Sequence, residues 1–216
     1  MSNPDGLKKI ERRTLTTSNL RAAEGDEMAL IGYACSFNIL SQDLGGFREV
    51  VAPGAFSASL ARGADVRCLF NHDPSQILGR SGAGTLQVFE DNRGLAFRCS
   101  LDKNNSDHMN VRASIVRGDI SQCSFAFSVP DGGDSWDDQT DETTGMRYAR
   151  RTLRAVNLID VSAVTYPAYD SPAATIVQAR AKTEASSLLA RVLAMPGDWA
   201  RQEKLARLGQ QIAAEK

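Results

Sequence analysis

Residues 120–129 read Ile120-Ser121-Gln122-Cys123-Ser124-Phe125-Ala126-Phe127-Ser128-Val129, and their alternation decides the class of fold. In an extended chain successive side chains point to opposite faces. Cys123, Phe125 and Phe127 therefore share an apolar face, while Gln122, Ser124, Ala126 and Ser128 share a small or polar one. Such a strand covers a core with one side only. Ser124 stands on the lean side, with room above it for a substrate backbone.

Working outward, the same grammar recurs. Residues 155–166 form a long, mostly apolar strand, and residues 146–154 bring four arginines before it. Residues 130–145 carry six acids and no base, which predicts a mobile surface loop. Upstream, residues 106–116 predict a helix capped by Ser106 and ended by Gly118. Residues 85–89 and 95–101 are strands joined by Glu90-Asp91-Asn92-Arg93-Gly94, a turn-rich connection. Residues 66–72 predict a strand with Val66, Cys68, Phe70 and His72 on one face, and Pro74 with residues 79–84 a loop. Strands over 28–40 and 47–51 and a two-turn helix over 55–62, with Phe56 and Leu60 on its buried side, complete the middle of the chain. Residues 1–27 read as a leading arm or short first strand. Residues 173–194 and 199–214 are Ala/Leu/Arg-rich and helical, separated by Met195-Pro196-Gly197-Asp198. Many short strands with few helices predict an α+β fold built on an antiparallel barrel or sandwich.

The chain of 216 residues allows one core plus appendages. With 42% hydrophobic and 24% charged residues it has the composition of a soluble globular protein. A net charge of −1 gives no general attraction to nucleic acid or membrane, and no apolar run approaches the ~18 residues of a spanning helix. The polar start, Met1-Ser2-Asn3-Pro4-Asp5-Gly6, lacks a secretory segment, so the expected location is a cytoplasm. Cys35, Cys68, Cys99 and Cys123 have no CxxC spacing and lie in apolar runs, which predicts reduced, buried thiols and neither zinc nor a redox pair. No cofactor is implied.

The chemistry-bearing residues are few. Asn71-His72-Asp73-Pro74 closes one apolar run, and Ser124 sits in another about fifty residues later. A histidine and a serine on separate strands are two parts of a nucleophilic hydrolase site. Cys123 is the rival nucleophile, but strand alternation turns it to the core side. His108, the other histidine, lies among Ser106, Asp107 and Asn110 and reads as a solvated surface residue. Asp160 sits in a strand too apolar to hold a lone carboxylate. Its partner is either His72, whose tautomer it would fix, or one of Arg147, Arg150, Arg151 and Arg154. Residues 79–85 (GRSGAGT) lack the lysine of a phosphate loop, and neither GxSxG around Ser124 nor HExxH occurs.

These segments together resemble the prohead (capsid maturation) proteases of tailed bacteriophages, relatives in fold of the herpesvirus assemblin protease. The resemblance runs over about residues 28–175. It is carried by Gly32-Tyr33-Ala34, Pro53-Gly54-Ala55-Phe56, Leu69-Phe70-Asn71-His72-Asp73, Leu78-Gly79-Arg80, Asn92-Arg93-Gly94-Leu95, Gly118-Asp119-Ile120-Ser121, Cys123-Ser124-Phe125-Ala126-Phe127, and Val161-Ser162 to Tyr166-Pro167-Ala168-Tyr169. It implies a mainly antiparallel, assemblin-like β-barrel flanked by helices over residues 28–175. The N-terminal arm (1–27) and the helical C-terminal extension (176–216) are read from their own residues, and the extension lies outside the match and inherits nothing from it. The resemblance also implies a serine endopeptidase with His72, Ser124 and Asp160 as catalytic residues, Asp160 standing where the family usually has glutamate. Ala126 replaces a frequent glycine. Arg80 and backbone N–H groups are the candidate oxyanion donors. The implied partners are the major capsid protein and its scaffold segment, with the portal protein and a second copy of the chain as further ones, inside the procapsid in the host cytoplasm. Self-processing is part of the same expectation. Two other classes fit the residues: a capsid-assembly scaffolding protein that kept the fold and lost the chemistry, and a cytosolic serine esterase.

Overall fold

The computed structural model describes residues 9–14, 20–23 and 27–166. In chain order the elements are β1 (Glu11–Thr14), β2 (Leu20–Ala22), β3 (Ala29–Ser36), β4 (Phe47–Val51), α1 (Ser57–Ala61), β5 (Arg67–Phe70) and β6 (Asp73–Arg80). They continue with β7 (Leu86–Glu90), β8 (Gly94–Ser100), α2 (Ser106–Arg117), β9 (Gln122–Ser128), β10 (Asp134–Thr140), β11 (Arg147–Leu153) and β12 (Asn157–Val164). The described residues are mostly β with a few helices, an α+β-like arrangement.

The strands form three sheets, ordered β1-β9-β12-β5-β6, β2-β3-β8-β7 and β10-β11-β4. Pairing is antiparallel except for β12 with β5 and β11 with β4. The expected barrel is therefore corrected. Closure requires every edge strand to find a partner, whereas among the described residues β1 and β6 end one sheet and β2 and β7 end another. The expected helical extension over 176–216 lies outside the described residues, as do residues 1–8 of the arm. The described parts of that arm are β1 and β2, each paired into a sheet.

The core forms from the apolar faces of β3, β8, β9 and β12. Leu30, Phe97, Phe125, Phe127 and Val161 are fully buried in one cluster, with Phe56 from the turn before α1. The Phe56 ring meets Phe125 edge-on at 5.4 Å, and Phe125 stacks on Phe127 at 5.1 Å. Each such side chain contributes ~1.5–3 kcal/mol of burial. The β3–β8 approach is so close that a Cβ on Gly94 would lie 1.9 Å from the Cys35 carbonyl oxygen, which only glycine tolerates. No helix of the described residues is long and apolar enough to cross a membrane.

Three elements differ from expectation for physical reasons. The strand expected to run through His72 stops at Phe70, because Asn71 and His72 have φ of 54° and 56° and make the turn into β6. Two successive residues at positive φ are what a two-residue hairpin turn of type I′ demands, and Asn and His tolerate that region better than most residues. The expected loop after Pro74 is instead β6, an edge strand, where a residue without an N–H is tolerated. The acidic segment is likewise β10 rather than a mobile loop. Its acids stand across from the arginines of β11, with Asp137 opposite Arg150 and Asp134 bonded to Arg151 at 2.6 Å. Mutual repulsion within the acidic run is cancelled by the strand beside it. α2 matches its expected span closely, except that Asn105 caps it by accepting from the N–H of Asp107 and His108; Gly118, at φ 86°, ends it.

Candidate active site

β9 and β12 supply the floor of the site. Ser124 lies directly across from Ser162, and Asp160 from Ala126, so all four side chains share one face. That sharing depends on an irregularity. Leu158 faces Phe127 on the core side, yet Asp160 faces Ala126 on the other, because the register slips by one residue at Ile159. Without this bulge the alternation that buries Leu158 would bury Asp160 in the core too; with it, the carboxylate is re-aimed.

His72 reaches the same face from the β5–β6 turn. The turn is fixed to the end of β12 by three bonds. Asn71 N–H donates to the Ala163 carbonyl (2.8 Å), and Asn71 Oδ1 accepts from Thr165 N–H (2.9 Å) and Oγ1 (3.2 Å). From there His72 Nδ1 donates to Asp160 Oδ1 at 2.6 Å, and Nε2 lies 2.6 Å from Ser124 Oγ. Ser162 Oγ donates to the same Asp160 oxygen at 2.8 Å and lies 3.2 Å from His72 Nδ1. Relative exposures are 1% for Ser124, 0% for Ser162 and 5% for Asp160, so the carboxylate is buried and satisfied by two donors. With Nδ1–H given to Asp160, the lone pair of Nε2 faces the serine hydroxyl, which is the tautomer a general base needs.

The remaining expected residues are elsewhere. Arg80, on β6, is bound to Asp65 by contacts of 2.5–3.0 Å and makes no bond to His72, Ser124 or Asp160. Asp160 pairs with His72 rather than with arginine, since Arg147, Arg150 and Arg151 hold Asp138, Asp137 and Asp134, and Arg154 holds Ser135. None of the four cysteines is in a disulfide and all are buried, and burial pushes the Cys123 thiol far up, away from any thiolate role. His108 is not a merely solvated residue. Its Nδ1 accepts the Asp102 N–H at 3.0 Å and its Nε2 donates to the Ile77 carbonyl at 3.0 Å, joining α2 to β6. Among the described residues no group of three His, Cys, Asp or Glu side chains has the arrangement of a metal site.

Ser162 and Arg13 escaped the sequence reading. Ser162 had a usable signal: two residues from Asp160 on a strand, it shares that residue's face. Arg13 had none. Its carbonyl oxygen accepts from Ser124 Oγ at 2.9 Å, because β1 pairs antiparallel with β9 and sets Thr14 across from Ser124. The side chains of β1 are anchored on the other face. Arg13 binds Glu49 at 2.8 Å and Glu11 at 2.6 Å, and Arg151 binds Glu11 at 2.8 Å and Glu49 at 3.2 Å. Burial raises the Glu49 carboxyl above its ordinary range in spite of Arg13, whereas at Glu11 the guanidinium groups of Arg151 and Arg13 outweigh burial and lower it.

A buried serine, a half-buried histidine and a buried aspartate in hydrogen-bonded series form the arrangement of serine hydrolases. The chain matches the family described as Caudovirus prohead serine protease over residues 15–187. The chain belongs to that family. It is also similar to the prohead protease of Enterobacteria phage HK97, at 28% identity over 147 residues. The match takes in 67% of this chain and 58% of the relative, so the chain spans less than two thirds of that protein's length. No solved structure matches it. The family span includes all of β2 to β12, hence His72, Ser124, Asp160 and Ser162, and begins just after β1.

Proposed function

We propose that this chain is an endopeptidase that cuts scaffold and capsid-protein segments inside the immature phage shell, with Ser124 as nucleophile, His72 as general base and Asp160 as the group that orients the ring. The observation carrying the reading is the position of His72, 2.6 Å from Asp160 on one nitrogen and 2.6 Å from Ser124 on the other. In the reaction His72 takes the Ser124 proton as Oγ attacks a peptide carbonyl, and returns it to the departing amine. Asp160 holds the neutral tautomer and stabilises the imidazolium that forms. Ser162 is a positioning residue: its bond to Asp160 Oδ1 keeps that oxygen aimed at Nδ1. Family membership supports the partners, namely capsid protein with its scaffold segment, and portal protein and a second copy of the chain after them. Enclosure with many substrate tails raises their effective concentration, so weak sequence recognition suffices for complete cutting.

The test is mass spectrometry of capsid protein coexpressed with the wild-type chain and with Ser124→Ala. Shortened capsid protein with the wild type alone is the expected result. Equal processing by both removes Ser124 from its role.

A further inference from the structure

The hydroxyl of Ser124 has one proton and two acceptors, His72 Nε2 at 2.6 Å and the Arg13 carbonyl oxygen at 2.9 Å. A proton given to Arg13 is withheld from the base. Ser124 is also only 1% exposed, so no peptide carbonyl reaches its oxygen unless some segment moves aside. The segment bonded to that oxygen is β1, four residues long and, among the described residues, at the end of its sheet. A short edge strand is among the first elements of a sheet to open. It is held at its side chains by the Glu11, Arg13, Glu49 and Arg151 cluster, and it lies outside the residues matched to the family.

We propose that β1 is an internal occupant of the place that a peptide substrate takes beside Ser124. An extended peptide adds to the freed edge of β9 as an antiparallel strand, and reaches the hydroxyl only when β1 gives up its position. The ion cluster at Glu11 and Arg13 is the latch that sets how often this happens. This rests on the reading of Ser124 as nucleophile.

Two variants of the full chain test it, both read by the rate at which a fluorophosphonate probe labels Ser124. Arg13→Gln weakens the latch while Arg151 still pairs Glu49, and labelling is expected about tenfold faster than in wild type, the factor that follows from loss of the charge-assisted pairing of Arg13 with Glu49. That pairing is the ionic tie of Arg13 from β1 to another strand, the Glu11 contact lying within β1 itself. Arg12→Cys with Ala126→Cys joins residues that face each other across β1 and β9, and allows the strand to be locked or released by oxidant and reductant. Slow labelling when oxidised and faster labelling when reduced is expected, the native cysteines being buried. A folded Arg13→Gln protein that labels at the wild-type rate overturns the proposal, as does a lock whose state leaves the rate unchanged; if Arg13→Gln does not fold, the lock decides alone. Absence of labelling at Ser124 in every form removes the nucleophile and, with it, the role of β1. Wild-type labelling insensitive to both manipulations removes only the role of β1.

Discussion

Asp160 and Asp137 are both strand aspartates with a cationic or proton-bearing partner opposite, yet they belong to different physical regimes. Asp160 sits at 5% exposure on the β9–β12 floor, its oxygen bonded by His72 and Ser162. Asp137 stands in solvent on the β10–β11 hairpin, bonded to Arg150 at 2.8 Å. In the first region a lost partner leaves a polar group that water cannot reach, while in the second water replaces the partner at once. Number and distance of contacts do not separate the two; access of solvent does. β11 makes the contrast between neighbours, for Arg150 faces water while Arg151 turns to the buried Glu49.

The contrast is sharpened first at the site. Ser124→Ala is expected to lower turnover on the order of 10⁶-fold with no loss of fold, measured on a capsid-derived peptide. Asp160→Asn should follow at about 10⁴-fold, because an amide there holds the wrong tautomer of His72. Ser162→Ala should cost about tenfold in kcat with KM little changed, since it removes one bond worth ~1 kcal/mol from the orienting carboxylate. On the other strand pair, Arg151→Ala should destabilise the protein by about 3 kcal/mol in urea melts, by stripping a partner from a buried carboxylate. Arg150→Gln should leave the urea midpoint within error. Its trace should appear only in the titration of Asp137, whose carboxyl Arg150 holds below 3.8. A carboxyl with a lowered folded pKa adds stability above its ordinary range and loses it as pH falls through the lowered value. Carboxyl NMR should therefore show Asp137 moving back up toward 3.8 in Arg150→Gln. A large loss of stability in that variant would erase the distinction between the two regions.

What the sequence made legible follows the same line. The alternation of Cys123, Phe125 and Phe127 against Ser124 and Ala126 is a local, period-two signal, and it named both the strand and the side on which the serine stands. The open space expected above Ser124 is instead closed by β1, and that closure was illegible, because β1 lies 111 residues away and carries no apolar pattern. His72 was found as a residue and misplaced as an element: the Val66, Cys68 and Phe70 alternation runs on without a break to a position that the backbone uses for a left-handed turn. β10 was missed because what orders it is charge on another strand rather than its own hydrophobicity. The pairing of Asp160 with His72 was one of two open readings, and only the slip at Ile159 decides it.

That slip has an evolutionary consequence. On either side of Ile159 the strand β12 serves two masters, packing through Leu158 and, in the proposed mechanism, chemistry through Asp160 and Ser162, and the spacing between them is what keeps both satisfied. Related chains should accordingly exchange side chains freely at position 159 while conserving the count of residues there, so that gaps, rather than replacements, mark lineages in which the enzyme has been retired.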